Sequence, residues 1–148
     1  MASKTMAEIS AVIKTKMQAI QISGDDAFAS VLEHARGEKN SYPCAEILPT
    51  GGSTVKRIAM GGLNSRTFIF RISLYQEQSE QGKTSAEATA RAVAISDAVI
   101  HAFDTDPDLG NEVETCMLNK MDFDFTGSRT PGLFATFDLE CAIITTNY

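Results

Sequence analysis

The chain has 148 residues, of which 43% are hydrophobic and 22% charged, with a formal net charge of −6. That length fits one domain, and the composition is that of a folded globular protein rather than a disordered one. The isoelectric point near 4.8 argues against a free-standing nucleic-acid binder, which usually carries a basic patch and a high pI. Charge is unevenly spread. Residues 1–75 hold nine Lys/Arg and six Asp/Glu, whereas residues 76–148 hold four and thirteen. A basic-leaning first half and an acidic second half permit a dipolar subunit, whose copies can dock head to tail.

Cys44, Cys116 and Cys141 match no zinc spacing and no CxxC pair, so free, buried thiols in a reducing compartment are expected. No apolar run at the amino end reads as a signal peptide, and no stretch approaches the ~18 apolar residues of a membrane span. The expectation is a protein made in the cytosol, or built there into a larger particle, with no membrane partner.

Residues 4–21 read as an amphipathic helix. Met6, Ile9, Ile13, Met17 and Ile20 form one stripe, Thr5 and Glu8 have capping-box spacing, and Ser23-Gly24-Asp25-Asp26 stops it. Residues 27–35 fit a strand or a short helical turn. Tyr42-Pro43 opens a strand over 43–48, in which Cys44, Glu46 and Leu48 alternate with Ala45 and Ile47. Residues 49–64 read as a loop or loose hairpin, with Gly51-Gly52 and Gly61-Gly62 as turns bracketing Val55 to Met60.

The strand at 66–76 puts Phe68, Phe70, Ile72 and Leu74 on one face and Arg71 and Ser73 on the other. After a polar connection comes a helix over 85–103, with Thr84 and Glu87 in capping-box spacing. Ala88, Ala92, Ile95, Val99 and Ala102 make its buried stripe, opposite Glu87, Arg91 and His101. Asp104 to Glu114 is an acidic loop. Two strands close the chain. In 115–125, Met117, Met121, Phe123 and Phe125 oppose Lys120, Asp122 and Asp124. In 133–146, Leu133, Ala135, Phe137, Leu139, Cys141 and Ile143 oppose Thr136, Asp138 and Glu140, with the turn at Gly127 to Gly132 containing Pro131. The fold class is therefore α+β: one domain, 1–148, with a mainly antiparallel sheet, one dry and one wet face, and two helices packed on one side.

No catalytic arrangement emerges. The two histidines, His34 and His101, sit in no nucleophile elbow and beside no cysteine motif. Asp104, Asp106 and Asp108 alternate like the start of a calcium loop, but its sixth and twelfth positions are Leu109 and Thr115, and Pro107 falls inside. Gly51-Gly52-Ser53-Thr54 lacks the lysine of a phosphate loop. Asp122, Asp124, Asp138 and Glu140 would cluster if they met across the final hairpin. They would then form a solvated face, an interface for basic residues of a neighbouring subunit, or a magnesium site of the nuclease kind. The expected answer is no enzyme, no cofactor and no metal. The alternatives are a small metal-dependent enzyme using those four carboxylates and a non-viral binding module.

Several segments together carry a resemblance: the helix Met6–Ile20, the Tyr42-Pro43 strand start, the strand Arg66 to Leu74, the helix Thr84–Phe103 and the closing hairpin. In that order the chain resembles the tail terminator and tail-completion (head–tail joining) proteins of long-tailed bacteriophages. The resemblance covers nearly the whole chain as a pattern, without a sharp motif. It implies a structural virion protein at the head-proximal end of the tail, assembled in the host cytoplasm. Its copies would form a homo-oligomeric ring, a hexamer, that caps the tail tube and meets the head connector. DNA would pass through the lumen without specific binding, and acidic walls would suit that. Candidate lumen or interface residues are Asp104, Asp106, Asp108, Asp122, Asp124, Lys56 and Arg57, the last two on the glycine-bracketed arm.

Overall fold

The computed structural model describes residues 5–33, 41–52, 56–59, 63–76, 86–125 and 132–146. Helix α1 spans Met6–Gln18. Its start is the expected capping box: Thr5 Oγ1 accepts from Glu8 N–H at 3.1 Å, and Glu8 Oε1 accepts from Thr5 N–H at 3.3 Å. Ile9, Ile13 and Met17 are fully buried, while Met6, at the exposed end of the stripe, is 40% accessible. The chain then turns through a small hairpin, β1 Gln21–Ile22 and β2 Asp25–Asp26. Ser23 and Gly24 both have positive φ, 53° and 88°, as a two-residue type I′ turn requires.

The main sheet contains β3 Ser30–Leu32, β4 Cys44–Gly52, β5 Lys56–Ala59, β6 Leu63–Tyr75, β7 Thr115–Phe123 and β8 Leu133–Thr146. Its order is β3-β4-β6-β8-β7, with β5 pairing the start of β6. β3 lies parallel to β4, and every other described pair is antiparallel. The ambiguous 27–35 segment is thus a strand at Ser30–Leu32. The second helix, α2, spans Ala86–Asp104. Thr84, the expected cap of α2, His34, the turn 127–131 and Gly61-Gly62 lie outside the described residues.

Both helices lie on one face of the sheet. Ile9, Ile13 and Met17 of α1 and Ala92, Ile95, Val99 and Phe103 of α2 share one cluster with Ile47, Phe70, Ile72, Leu74, Phe137 and Leu139 of the strands. Each fully buried side chain of this size contributes about 1.5–3 kcal/mol relative to exposure. The fold is therefore an α+β layer of two helices on a mainly antiparallel sheet.

Three expectations are corrected. Residues 49–64, expected as a loop or loose hairpin, are strand wherever they are described. β4 continues through Gly51 and Gly52, which pair with Ile69 and Phe68, and β5 folds back on β6. The Pro-Thr-Gly-Gly stretch makes a register shift between Pro49 and Gly51, and that bulge absorbs the irregular residues without ending the strand. The second correction concerns β7. Cys116 is 5% accessible and Leu118 half-buried, whereas Met117 and Met121 are 58% and 43% accessible. Asn119 pairs with Asp138 but Asp122 pairs with Thr136, so β7 carries one extra residue, and Lys120 adopts φ 45°. The bulge reverses the inward parity. Before it the even residues face the core. After it Phe123 shares a rung with the buried Ala135 and sets its ring edge-on to Phe137 at 5.7 Å, while staying 39% accessible.

The third correction is that the face away from the helices is not uniformly wet. Cys44, Glu46 and Ser73 on it are all buried, at 0%, 4% and 7%.

Candidate assembly surfaces

Three parts of the surface carry the residues singled out by the sequence. The first is the acidic loop after α2. Asp104 is the exposed last residue of the helix. Asp106 is held from two sides. Its Oδ2 accepts from Lys16 Nζ of α1 at 2.8 Å, and its Oδ1 accepts from Gly110 N–H at 2.8 Å. These hydrogen bonds, the ammonium's foremost, hold the Asp106 carboxyl below its ordinary value of 3.8. The carbonyl of Asp108 accepts from the N–H groups of Glu112 and Val113. Leu109 and Val113 turn inward and are buried, with Leu109 at φ 49°. The loop is therefore a clasp pinned by two apolar anchors and an ion pair. Both Asp106 oxygens accept hydrogen bonds from within the chain.

Between this clasp and α1 runs an open groove of about 560 Å³. Small residues Ala11, Thr15 and Ala19 line its α1 side, with Val12 and Leu109 on its floor and the Lys16–Asp106 pair at its side. Sequence reading missed the groove. The only available signals were the small residues at helical spacing and an isolated leucine within an acidic loop.

The second surface is the outer face of β6, β7 and β8. The four carboxylates proposed as a metal cluster are not brought together. Asp138 stands opposite Arg71 and Asn119, Asp122 opposite Thr136, and Glu140 opposite Ile69 and Met117. No two of them face each other on adjacent strands. Asp138 Oδ1 accepts from Arg71 Nε at 3.2 Å, which supplies its counter-charge within the chain. Asp124 donates its backbone N–H to the Phe134 carbonyl just past the end of β7. Among the described residues no group of three His, Cys, Asp or Glu side chains is placed to share a metal ion. Met117 and Met121 stand exposed on the same strand, flanking the bulge at Lys120.

At the corner of this face Tyr75 O–H donates to Glu46 Oε1 at 3.2 Å. Burial first, and then the neighbouring Glu46 carboxylate, push the Tyr75 phenol up to about 12. Glu46 escaped the sequence reading, which treated it as one of an alternating set.

The third surface is the β5–β6 hairpin. Lys56 pairs with Ser65 and Arg57 with Asn64 across it. The basic residues therefore belong to a sheet element, which gives the arm a defined backbone. His101 lies exposed near the end of α2 and takes part in no catalytic grouping of described residues.

No family model matches the sequence, and no curated protein is similar to it at the sequence level. The fold does have a solved counterpart. The PVC sheath/tube terminator of an extracellular contractile injection system, in its extended state, superposes with a TM-score of 0.63 at 8% identity. The match covers 100% of this chain and 58% of that one. The chain therefore corresponds to little more than half the length of that terminator, and at this identity the likeness is one of fold.

Proposed function

We propose that this chain is a non-enzymatic structural subunit of a phage tail or related injection apparatus, a terminator that closes the end of a tube. The observation that carries this reading is the fold likeness to a sheath/tube terminator along the whole of this chain. It agrees with the element order that the sequence shares with phage tail terminators.

In the finer reading, copies of the chain close into a ring, a hexamer. The ring caps the tube protein at the head-proximal end and offers the opposite side to a head connector. The charge distribution supports head-to-tail contact, because nine of the thirteen Lys/Arg lie in residues 1–75 and thirteen of the nineteen Asp/Glu in residues 76–148. Met117 and Met121, exposed on the edge strand β7, supply an apolar centre for such a contact. Exposed Asp104 and Asp122 are better suited to an acidic lumen than Asp106, which Lys16 neutralises. The β5–β6 arm, whose sequence carries Lys56 and Arg57, would meet the acidic side of a neighbour.

Native mass spectrometry and negative-stain microscopy of the full chain, alone and with purified tube subunits, test this. A closed ring, or arrest of tube growth at a defined length, is expected. A monomer at every concentration that also leaves tube growth unchanged would sink it, and would favour a binding module outside any virion. Against the metal-dependent enzyme reading, Asp138 is paired with Arg71, and Asp122 and Glu140 stand opposite Thr136 and Met117 rather than another carboxylate.

A further inference from the structure

Cys116 and Cys141 are direct partners in the β7–β8 register, and the Cys141 thiol donates to the Cys116 sulfur across 3.9 Å. Cys44 is not part of this pair. It lies two strands away from β8, opposite Tyr75, and its thiol turns to the Ala45 carbonyl at 3.8 Å. One bland account is that Cys116 and Cys141 are simply small apolar residues filling the core. The backbone adds something that core packing does not require.

The Cys116 N–H donates to the Pro107 carbonyl at 2.6 Å, away from β8. The amide is thus turned toward the outer edge of the sheet, and Cys116–Cys141 is a non-hydrogen-bonded rung. Rungs of that kind bring the two Cα atoms to about 4.5 Å. Disulfides span Cα separations of ~4.4–6.8 Å. The backbone is therefore already within bonding range, and side-chain rotation can close the remaining gap between the sulfurs.

The two thiols differ in how they would react. The hydrogen bond to Cys116, together with burial, pushes the Cys141 thiol up, which makes Cys141 a poor starting nucleophile. Cys116 is the less buried, at 5% against 0%, and lies on β7, an edge strand with one described strand neighbour.

We propose that Cys116 and Cys141 are an intrachain disulfide site, with Cys116 as the attacking thiol and Cys141 as the resolving one. The oxidant is a low-molecular-weight disulfide. The Cys116 thiolate attacks one of its sulfurs, breaks its S–S bond, releases one small thiolate and forms a mixed disulfide. Cys141 then gives its proton to the released thiolate and attacks the Cys116 sulfur, expelling the second small thiolate, which takes up the proton lost by Cys116. Two protein thiols become one disulfide, and the small disulfide is reduced to two thiols. The bond staples β7 to β8, its only described strand partner, and holds the β7 edge in place once the protein leaves a reducing environment.

The test uses the reduced full chain incubated with oxidised glutathione, then alkylated with N-ethylmaleimide under denaturing conditions and weighed intact. Loss of two of the three alkylatable thiols is expected, with no glutathione retained, a Cys116–Cys141 linkage on peptide mapping and an unchanged circular dichroism spectrum. Cys141→Ala, lacking the resolving thiol, is expected to retain one glutathione at Cys116. Three alkylated cysteines after treatment, a bridge through Cys44, stable glutathione on wild-type Cys116 or loss of folded structure on bridging would each overturn the proposal.

Discussion

Lys16 and Asp106, 90 residues apart in sequence, meet through a 2.8 Å ion pair that clasps α1 to the loop after α2. The same ammonium stands 5.8 Å from the centre of the Phe103 ring, so one cation joins the helix, the end of α2 and the loop. Both side chains are partly shielded, at 21% and 28% accessible, which lifts the pair above an ordinary exposed bridge.

Asp106→Ala removes the acceptor for both Lys16 and Gly110 and is expected to lower the unfolding free energy by about 1 kcal/mol at pH 7. The pH dependence follows from the depressed carboxyl. Asp106 binds its proton less tightly folded than unfolded, so its contribution is complete above the unfolded value of 3.8 and is lost as the pH falls through the lower folded value. Urea melts of wild type and Asp106→Ala from pH 7 down to pH 3 should show the gap narrowing only at the acid end. A gap constant with pH would show that the loop anchors Leu109 and Val113, not the carboxylate, hold the clasp.

Thr5→Ala takes away the side chain that accepts from Glu8 N–H and should destabilise α1 by about 1 kcal/mol. Thr5→Ser retains the hydroxyl and should stay near wild type. Thermal melts of the two variants together separate loss of the cap from any general intolerance of change at the start of the helix.

The two capping positions of α1 and the apolar stripes of both helices were legible because helix signals are local. Thr5 and Glu8 are three residues apart, and Ile9, Ile13 and Met17 recur at the helical period. The strands were legible in existence but not in phase. A strict period of two assigns Met117 and Met121 to the core, yet the extra residue at Lys120 reverses inside and outside, and nothing local to 115–125 announces it. Pro49 and Gly51-Gly52 read as a turn for the opposite reason. Their breaker chemistry is real, but the pairing with β6 absorbs it as a bulge. Asp106 was legible as an acid and not as a clasp, since its partner is set by tertiary packing.

Phe137 on β8 and Met117 on β7, both apolar and both in paired strands, should respond very differently to truncation. Phe137→Ala empties a fully buried site beneath Phe123 and should cost roughly 3–5 kcal/mol. Met117→Ala, at 58% accessibility, should change stability by less than about 0.5 kcal/mol. Urea midpoints at unchanged slope give both numbers. If Met117 mediates contact between copies, Met117→Asp should leave the monomer's melt unchanged and weaken any assembly seen by native mass. An unchanged assembly would move the interface off this strand.

Tyr75 offers a readout at the opposite end of the pH scale. Its phenol is raised from 10.0 to about 12, chiefly by burial and next by the Glu46 carboxylate it bonds. A raised folded value means the neutral phenol is favoured in the native state. The stability it contributes is complete below pH 10 and is lost as the pH rises toward about 12. Absorbance titration near the tyrosinate band should therefore show a late step from Tyr75, and Tyr75→Phe should remove it. The same variant deletes a donor to a carboxylate only 4% accessible, so it should cost about 1–3 kcal/mol at neutral pH. Tyr75→Phe with wild-type stability and an unaltered titration would mean that Glu46 is held by its other contacts alone.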